Sequence, residues 1–151
     1  MKGLTKKQQN TVTAALEILE TFAAYNPQSL TTSVETCDYL RLKLSDLEHE
    51  VFGVIFLNKK HDIIAWEIVS TGTIDGAPVY PREIVKRVLY HNACDVIFAH
   101  NHPSGVMDPS QSDILITRRL KAALDTIDVR VLDHIIIANT FAVSMLERGE
   151  L

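Results

Sequence analysis

The stretch from Val96 to Asp113, VIFAHNHPSGVMDPSQSD, constrains this chain more than any other. Val96 to Ala99 is a short, partly β-branched apolar run followed at once by turn residues, the pattern of a buried strand. It ends in H-x-H, His100 and His102. Residues i and i+2 of an extended segment face the same side, so both imidazoles look into one space. A loop rich in Pro, Ser and Gly follows, and Ser110 opens an amphipathic helix with Asp113 in its first turn. Asp113 reaches the same space if the loop closes over it. Two imidazoles and a carboxylate suit a catalytic zinc, with the fourth tetrahedral position left for water. Asp113 also has a local reading: Ser110-x-x-Asp113 has the form of a capping box, with Asp in place of Glu or Gln. H-x-H alone is a weak signal, but polar groups buried at a strand end need partners, and a metal satisfies all three together.

Around this stretch the periodicity changes repeatedly. Val12, Ala15, Leu16, Leu19, Phe22 and Ala23 fall on one stripe of a helix from Thr5 to Tyr25. Asn26-Pro27 ends it, because a residue before proline avoids the helical region. A second helix is expected from Ser33 to Leu42, capped by Thr32 or Ser33, with Val34, Cys37, Tyr39, Leu40 and Leu44 available to pack. These two helices serve as a packing cap or as a dimer surface. Glu48 to Leu57 alternates as a strand, and after the turn Asn58–Asp62 the segment Ile63–Ser70 returns as a hairpin. Glu50 leads that apolar strand, where a carboxylate is either solvated at the sheet edge or held for a purpose. Thr71–Gly76 is a loop, a connector or a border of the cleft. Pro81 starts a helix to His91, with Ile84, Val85, Val88 and Leu89 inward and His91 placed to favour the helix dipole. The helix from Ser110 to Asp125 is expected to bury Ile114, Leu115, Leu120 and Leu124. Asp128–Ala138 and Phe141–Leu146 complete the chain as strands turned at Asn139-Thr140. The order α-α-β-β-α-β-α-β-β implies a mixed sheet with helices on both faces.

At 151 residues the chain suits one domain with a real core. No apolar run approaches ~18 residues, and the charges of Lys2, Lys6 and Lys7 lack the apolar segment of a signal peptide behind them. A cytoplasmic protein is expected. Cys37 and Cys94 have no zinc-knuckle spacing and read as two reduced thiols. The net charge of −4 and pI near 5.8 argue against nonspecific nucleic-acid binding, which depends on a positive surface. Lys6-Lys7, Lys86-Arg87 and Arg118-Arg119-x-Lys121 are the local exceptions, and on helices such clusters are usually solvated faces. A zinc deaminase would need H-x-E with P-C-x-x-C, which this chain lacks.

His100-Asn101-His102-Pro103-Ser104-Gly105, followed by Ser110 and Asp113, resembles the metal motif of the JAMM (JAB/MPN) metallopeptidases. Thr71-Gly72-Thr73-Ile74, Tyr80-Pro81-Arg82-Glu83 and Leu132-Asp133-His134 resemble its RadC-like branch. The likeness covers about residues 45–151. It leaves residues 1–44 as an N-terminal helical segment packed on the core, and it is similar to a short form without a helix-hairpin-helix region. The resemblance implies an α/β fold, an α-β-α sandwich with a mixed sheet in the JAB1/MPN (cytidine-deaminase-like) architecture. It implies Zn²⁺ held by His100, His102 and Asp113, and a zinc-dependent peptidase or isopeptidase acting on a protein substrate. Such proteins place a glutamate at the start of the first strand, against the nucleophilic water; Glu50 stands there, with Glu48 the second choice. Ser110 resembles the motif serine that helps stabilise the oxyanion. Asn101 is expected to turn away into a loop hydrogen bond, and His134 to be a satisfied histidine in the core or behind the ligands. The alternatives are a noncatalytic interaction module on the same fold, or an accessory protein associated with DNA repair, a role the charge does not support. Weak or no nucleic-acid binding, no membrane and a homodimer complete the expectations.

Overall fold

Two strands that are apolar on both faces set the centre of the molecule. In the computed structural model, which describes residues 5–25, 32–72 and 78–151, β1 (Val51–Leu57) and β3 (Asp95–Asn101) are buried along their whole lengths. β2 (Ile63–Thr71) pairs antiparallel with β1, and β4 (Arg130–Ala138) runs parallel to β3. β5 (Phe141–Ser144) closes a hairpin with β4, giving the sheet order β2-β1-β3-β4-β5. With α1 (Lys6–Tyr25), α2 (Ser33–Leu44), α3 (Pro81–His91) and α4 (Gln111–Asp125), the element order is the one expected.

Alternation along the strands divides the core into two layers. Phe52, Val54, Phe56, Val96 and Phe98 meet Ile84 and Val88 of α3 and Leu120 and Leu124 of α4. Val51, Ile55, Leu57, Ile97, Ala99, Ile135 and Ile137 meet Leu40 and Leu44 of α2. Burying each such side chain contributes about 1.5–3 kcal/mol. The result is the α-β-α sandwich with a mixed sheet.

Several inward-facing expectations are corrected. Leu115 and Leu89 are exposed. On α4 the sheet-facing stripe runs Asp113, Thr117, Leu120, Leu124, and Leu115, two residues from Asp113, points about 200° away from it. On α3, Ile84 and Val88 face inward, and Leu89 has rotated past them. Val34 of α2 is exposed for the same reason, because the stripe is Thr36, Leu40, Leu44. Thr32 is the cap of α2, its hydroxyl accepting from Glu35 N. On α1, Val12 and Leu16 are half-buried and Ala15 is exposed, while Leu19, Phe22 and Ala23 lie outside the described side chains. His91 stands in the last turn of α3, as expected, and its Nε2 also lies 2.7 Å from Glu67 Oε1, while Asn92 in the left-handed conformation ends the helix. β1 starts at Val51 and not at Glu48, because the backbone from 45 to 50 turns before it joins the sheet. Residues 73–76 of the loop read as a connector or cleft border lie outside the described residues. Among the described residues no helix is long and apolar enough to cross a membrane. Cys37 and Cys94 are both free thiols.

Candidate metal centre

The parallel pair β3 and β4 is connected through α4, so the N-terminus of α4 returns to the carboxyl end of β3, where open α/β sheets keep their clefts. His100 lies at that end, its backbone paired with Phe52 on one side and Ile136 on the other. His102 follows the strand, and its N–H still donates to Ile137 O at 2.8 Å. The chain then reverses, with Gly105 N donating to His102 O and Gly105 at φ +79°. The turn favours glycine for its dihedral, and a Cβ there would have to displace the Asn139 amide, whose Nδ2 would lie 2.5 Å away.

This folding brings His100, His102 and Asp113 together, with one donor atom from each within 4.8 Å of the others. His100 Nε2 lies 2.9 Å from His102 Nε2 and 3.2 Å from Asp113 Oδ1, and His102 Nε2 lies 3.4 Å from Asp113 Oδ2. Ligands about 2.0–2.1 Å from a tetrahedral zinc stand roughly 3.3 Å from one another; the distances from His100 Nε2 to His102 Nε2 and to Asp113 Oδ1 are close to that edge, while His102 meets the other carboxylate oxygen. The chemistry of the donors agrees. Val106 O can only accept, so His102 Nδ1 donates to it at 2.7 Å and Nε2 keeps its lone pair in the neutral ring. The donor set therefore fits a zinc ion.

Asp113 meets both of its sequence readings at once. Its Oδ2 accepts from Ser110 N at 2.7 Å while Ser110 Oγ accepts from Asp113 N at 3.1 Å, a complete capping box. The cap aims the carboxylate at the imidazoles. Burial pushes the Asp113 carboxyl up, but hydrogen bonds from His100, His102 and Ser110 outweigh burial and hold it far below the usual carboxylate range. The bond to Asp113 raises His102 above the ordinary imidazole value against the opposing effect of burial, with Glu50 adding a smaller contribution.

Glu50 is half-buried immediately before β1, near enough to His102 for its charge to act on that imidazole. Asn101 points away from the imidazoles, as expected, and does more than satisfy itself. Its Oδ1 accepts from Val51 N at 2.8 Å, and its Nδ2 donates to Leu47 O and His49 O at 3.3 and 3.0 Å. The residue between the two histidines thus pins the segment that carries Glu48 and Glu50. Gly72 N completes the support by donating to Glu50 O at 2.8 Å. Glu48 lines a cavity of about 470 Å³ with Asp46, Leu47, Asn101, His102 and Pro103. Ser110 is exposed, and no bond among the described residues uses its hydroxyl hydrogen.

His134 is wholly buried behind His100, with Nε2 at 2.8 Å from His100 Nδ1. Burial, reinforced by His100, lowers its pKa well below the ordinary histidine value and keeps it neutral. Its other nitrogen meets Thr117 Oγ1 at 2.6 Å. Sequence reasoning missed Thr117. The available signal was a hydroxyl one helical turn after Asp113, on the face that points at the sheet. It also passed over Asp133, whose carboxylate accepts from Ser144 Oγ, His134 N and Leu146 N and ties β4 to the C-terminal segment.

Comparison with known proteins now decides the lineage: residues 30–150 match the family model described as RadC-like JAB domain. The chain belongs to the RadC-like JAB domain family. Among its relatives, the UPF0758 protein of Azotobacter vinelandii is 54% identical over 112 residues, covering 74% of this chain and 50% of the relative. That of Cellvibrio japonicus is 57% identical over the same lengths. That of Marinobacter nauticus is 46% identical over 154 residues, covering 99% of this chain and 68% of the relative. The chain therefore spans about half the length of the first two relatives. In this RadC-like JAB domain the match to the family model includes α2 as well as the sheet and the three candidate ligands.

Proposed function

We propose that this RadC-like JAB domain is a zinc-dependent hydrolase of peptide or isopeptide bonds, with His100, His102 and Asp113 holding the ion. The observation that carries the reading is the convergence of two imidazole nitrogens and one carboxylate within 4.8 Å of one another beside an open cavity. Bound there, zinc would act as a Lewis acid that polarises a carbonyl and makes a water more acidic. The protein supplies the rest. Glu50, whose neighbours His49 and Val51 are held by Asn101 and whose own carbonyl accepts from Gly72 N, takes the proton of the attacking water and delivers it to the leaving amine. Ser110 donates its hydroxyl hydrogen to the carbonyl oxygen as negative charge develops there. Its own oxygen stays engaged by Asp113 N, so the cap orients the donor. The cavity beside His102 and Pro103 offers room for the flanking substrate chain, and its walls include both carboxylates and apolar side chains.

The test is cleavage of a diverse peptide and isopeptide pool by the zinc-loaded chain, read by mass spectrometry as newly formed amines. Glu50→Gln should retain zinc and the fold while cleavage drops by ~10²-fold or more. Loss of zinc in Glu50→Gln would make Glu50 a ligand and break the assignment. Full activity in Glu50→Gln with a dead Glu48→Gln would move the base to Glu48. A loaded wild-type chain that cleaves nothing in the pool would favour the noncatalytic interaction module.

A further inference from the structure

Behind His100 lies a chain of hydrogen bonds that ends on the same residue as the metal site. His100 Nδ1 meets His134 Nε2 at 2.8 Å, His134 Nδ1 meets Thr117 Oγ1 at 2.6 Å, and Thr117 Oγ1 donates to Asp113 O at 2.6 Å. His134 and Thr117 are both fully buried, and Phe52 and Phe98 pack edge-on against the His134 ring with centroids 5.2 and 5.9 Å away. The protons of such a chain can be arranged in two directions, and the directions differ at the metal.

A peptide carbonyl only accepts, so Asp113 O anchors one direction. The Thr117 hydroxyl gives it the proton, and Thr117 Oγ1 then accepts from His134 Nδ1–H. His134 Nε2 is left with its lone pair and accepts from His100 Nδ1–H. In the neutral ring His100 Nε2 then carries a lone pair, on the side that faces His102 and Asp113. In the reverse direction Thr117 donates to His134 Nδ1, His134 Nε2–H donates to His100 Nδ1, and a hydrogen on His100 Nε2 occupies the space a metal would need. Only the first direction permits His100 to ligate.

We propose that Thr117 and His134 form a directional hydrogen-bond relay that holds His100 in its Nδ1–H tautomer and thereby sets the metal affinity of the centre. Both are positioning residues, and the inference rests on the metal reading above. The relay starts at the backbone of one ligand, Asp113, and finishes at the ring of another, His100. It couples the orientation of α4 to the protonation pattern of β3, through a side chain of β4. Ligating histidines typically depend on the partner of their second nitrogen, whose loss costs 10–100-fold in metal affinity. Here that partner is a histidine, which can present either a donor or an acceptor, so its own orientation needs the further bond from Thr117.

The experiment combines zinc affinity, by competition with a chromophoric chelator, and histidine tautomers, by long-range ¹H–¹⁵N NMR at pH 7.5 on the full chain with and without zinc. The relay requires His134 to carry its proton on Nδ1 in both states. It requires Thr117→Val, a near-isosteric change, to weaken zinc binding by about tenfold or more, and Thr117→Ser to stay within about threefold of wild type. His134→Phe should weaken binding ~10–100-fold, and His134→Gln, whose amide oxygen offers an acceptor in place of Nε2, should regain much of it. If His134→Phe does not fold, the Thr117 pair and the NMR still decide. A His134 proton on Nε2, or equal affinity in Thr117→Val and Thr117→Ser, overturns the relay and leaves the metal centre standing. A wild-type chain that binds no zinc overturns the metal reading, and the relay's role with it.

Discussion

Asp113→Asn separates helix capping from metal binding at one side chain. The amide oxygen of Asn can still accept from Ser110 N, where Asp113 Oδ2 does so at 2.7 Å. The charge and the second ligand-competent oxygen are lost. Structural zinc sites bind with about 10–16 kcal/mol shared among four ligands, so one ligand is worth roughly 2.5–4 kcal/mol, or ~10²–10³-fold in affinity. At free zinc a hundredfold above the wild-type Kd, binding stabilises the folded chain by about 2.7 kcal/mol. For a chain of this size that corresponds to a rise in Tm of about 5–11 °C. In Asp113→Asn the same zinc concentration reaches at most about the weakened Kd, contributing about 0.4 kcal/mol and a rise of about 1–2 °C. Differential scanning fluorimetry with and without zinc, with a chelator titration for Kd, measures both quantities. An equal zinc-induced rise in the variant would show that Asp113 is a cap and not a ligand.

Other expectations follow from the same geometry. In the metal-free chain His102 is raised by Asp113 and stabilises the fold fully below the unfolded value of 6.5, losing that contribution as pH rises through its folded pKa. His134 is lowered by burial and Asp113 is lowered by its partners, so stability also declines below about 6.5 and more steeply below about 4. Urea midpoints of the metal-free protein should thus peak near pH 6.5, and a midpoint still rising from pH 6.5 to 9 would contradict the His102–Asp113 pairing. Gly53→Ala should destabilise by about 1–3 kcal/mol, because the new Cβ would lie 2.0 Å from Trp66 Cη2. The emission of the chain's single tryptophan should shift at the same time, and unchanged stability and emission would refute the clash. A short DNA duplex should not be retained at ~150 mM salt, since Lys86 and Arg87 pair with Glu83 and Glu67 and two phosphate contacts by Arg118 and Arg119 give only ~10⁻⁴ M binding. A submicromolar complex lost on replacing both arginines by alanine would reverse that conclusion.

The sequence by itself determined the element order, the mixed sheet and the grouping of His100, His102 and Asp113, because each rests on local spacing. Apolar residues at period two or 3.6 specify which segments bury and in which form, and H-x-H with Ser-x-x-Asp specifies a strand end and a capped helix start. Spacing was less able to say which of several apolar side chains on a helix would face inward. Leu115 and Leu89 satisfy the composition of a stripe, but the stripe's direction follows from where the helix lands on the sheet, and on α4 a carboxylate and a hydroxyl take the inward places. Only the tertiary structure decided how the triad is supported. Asn101 reaches across to Leu47, His49 and Val51, and His134 reaches back to Thr117 and His100. These partners lie 17 to 54 residues apart in the chain. Their hydrogen bonds exist because the antiparallel β1–β3 pair, the parallel β3–β4 pair and the helix α4 bring four separate segments to one sheet end, and no local periodicity encodes that meeting.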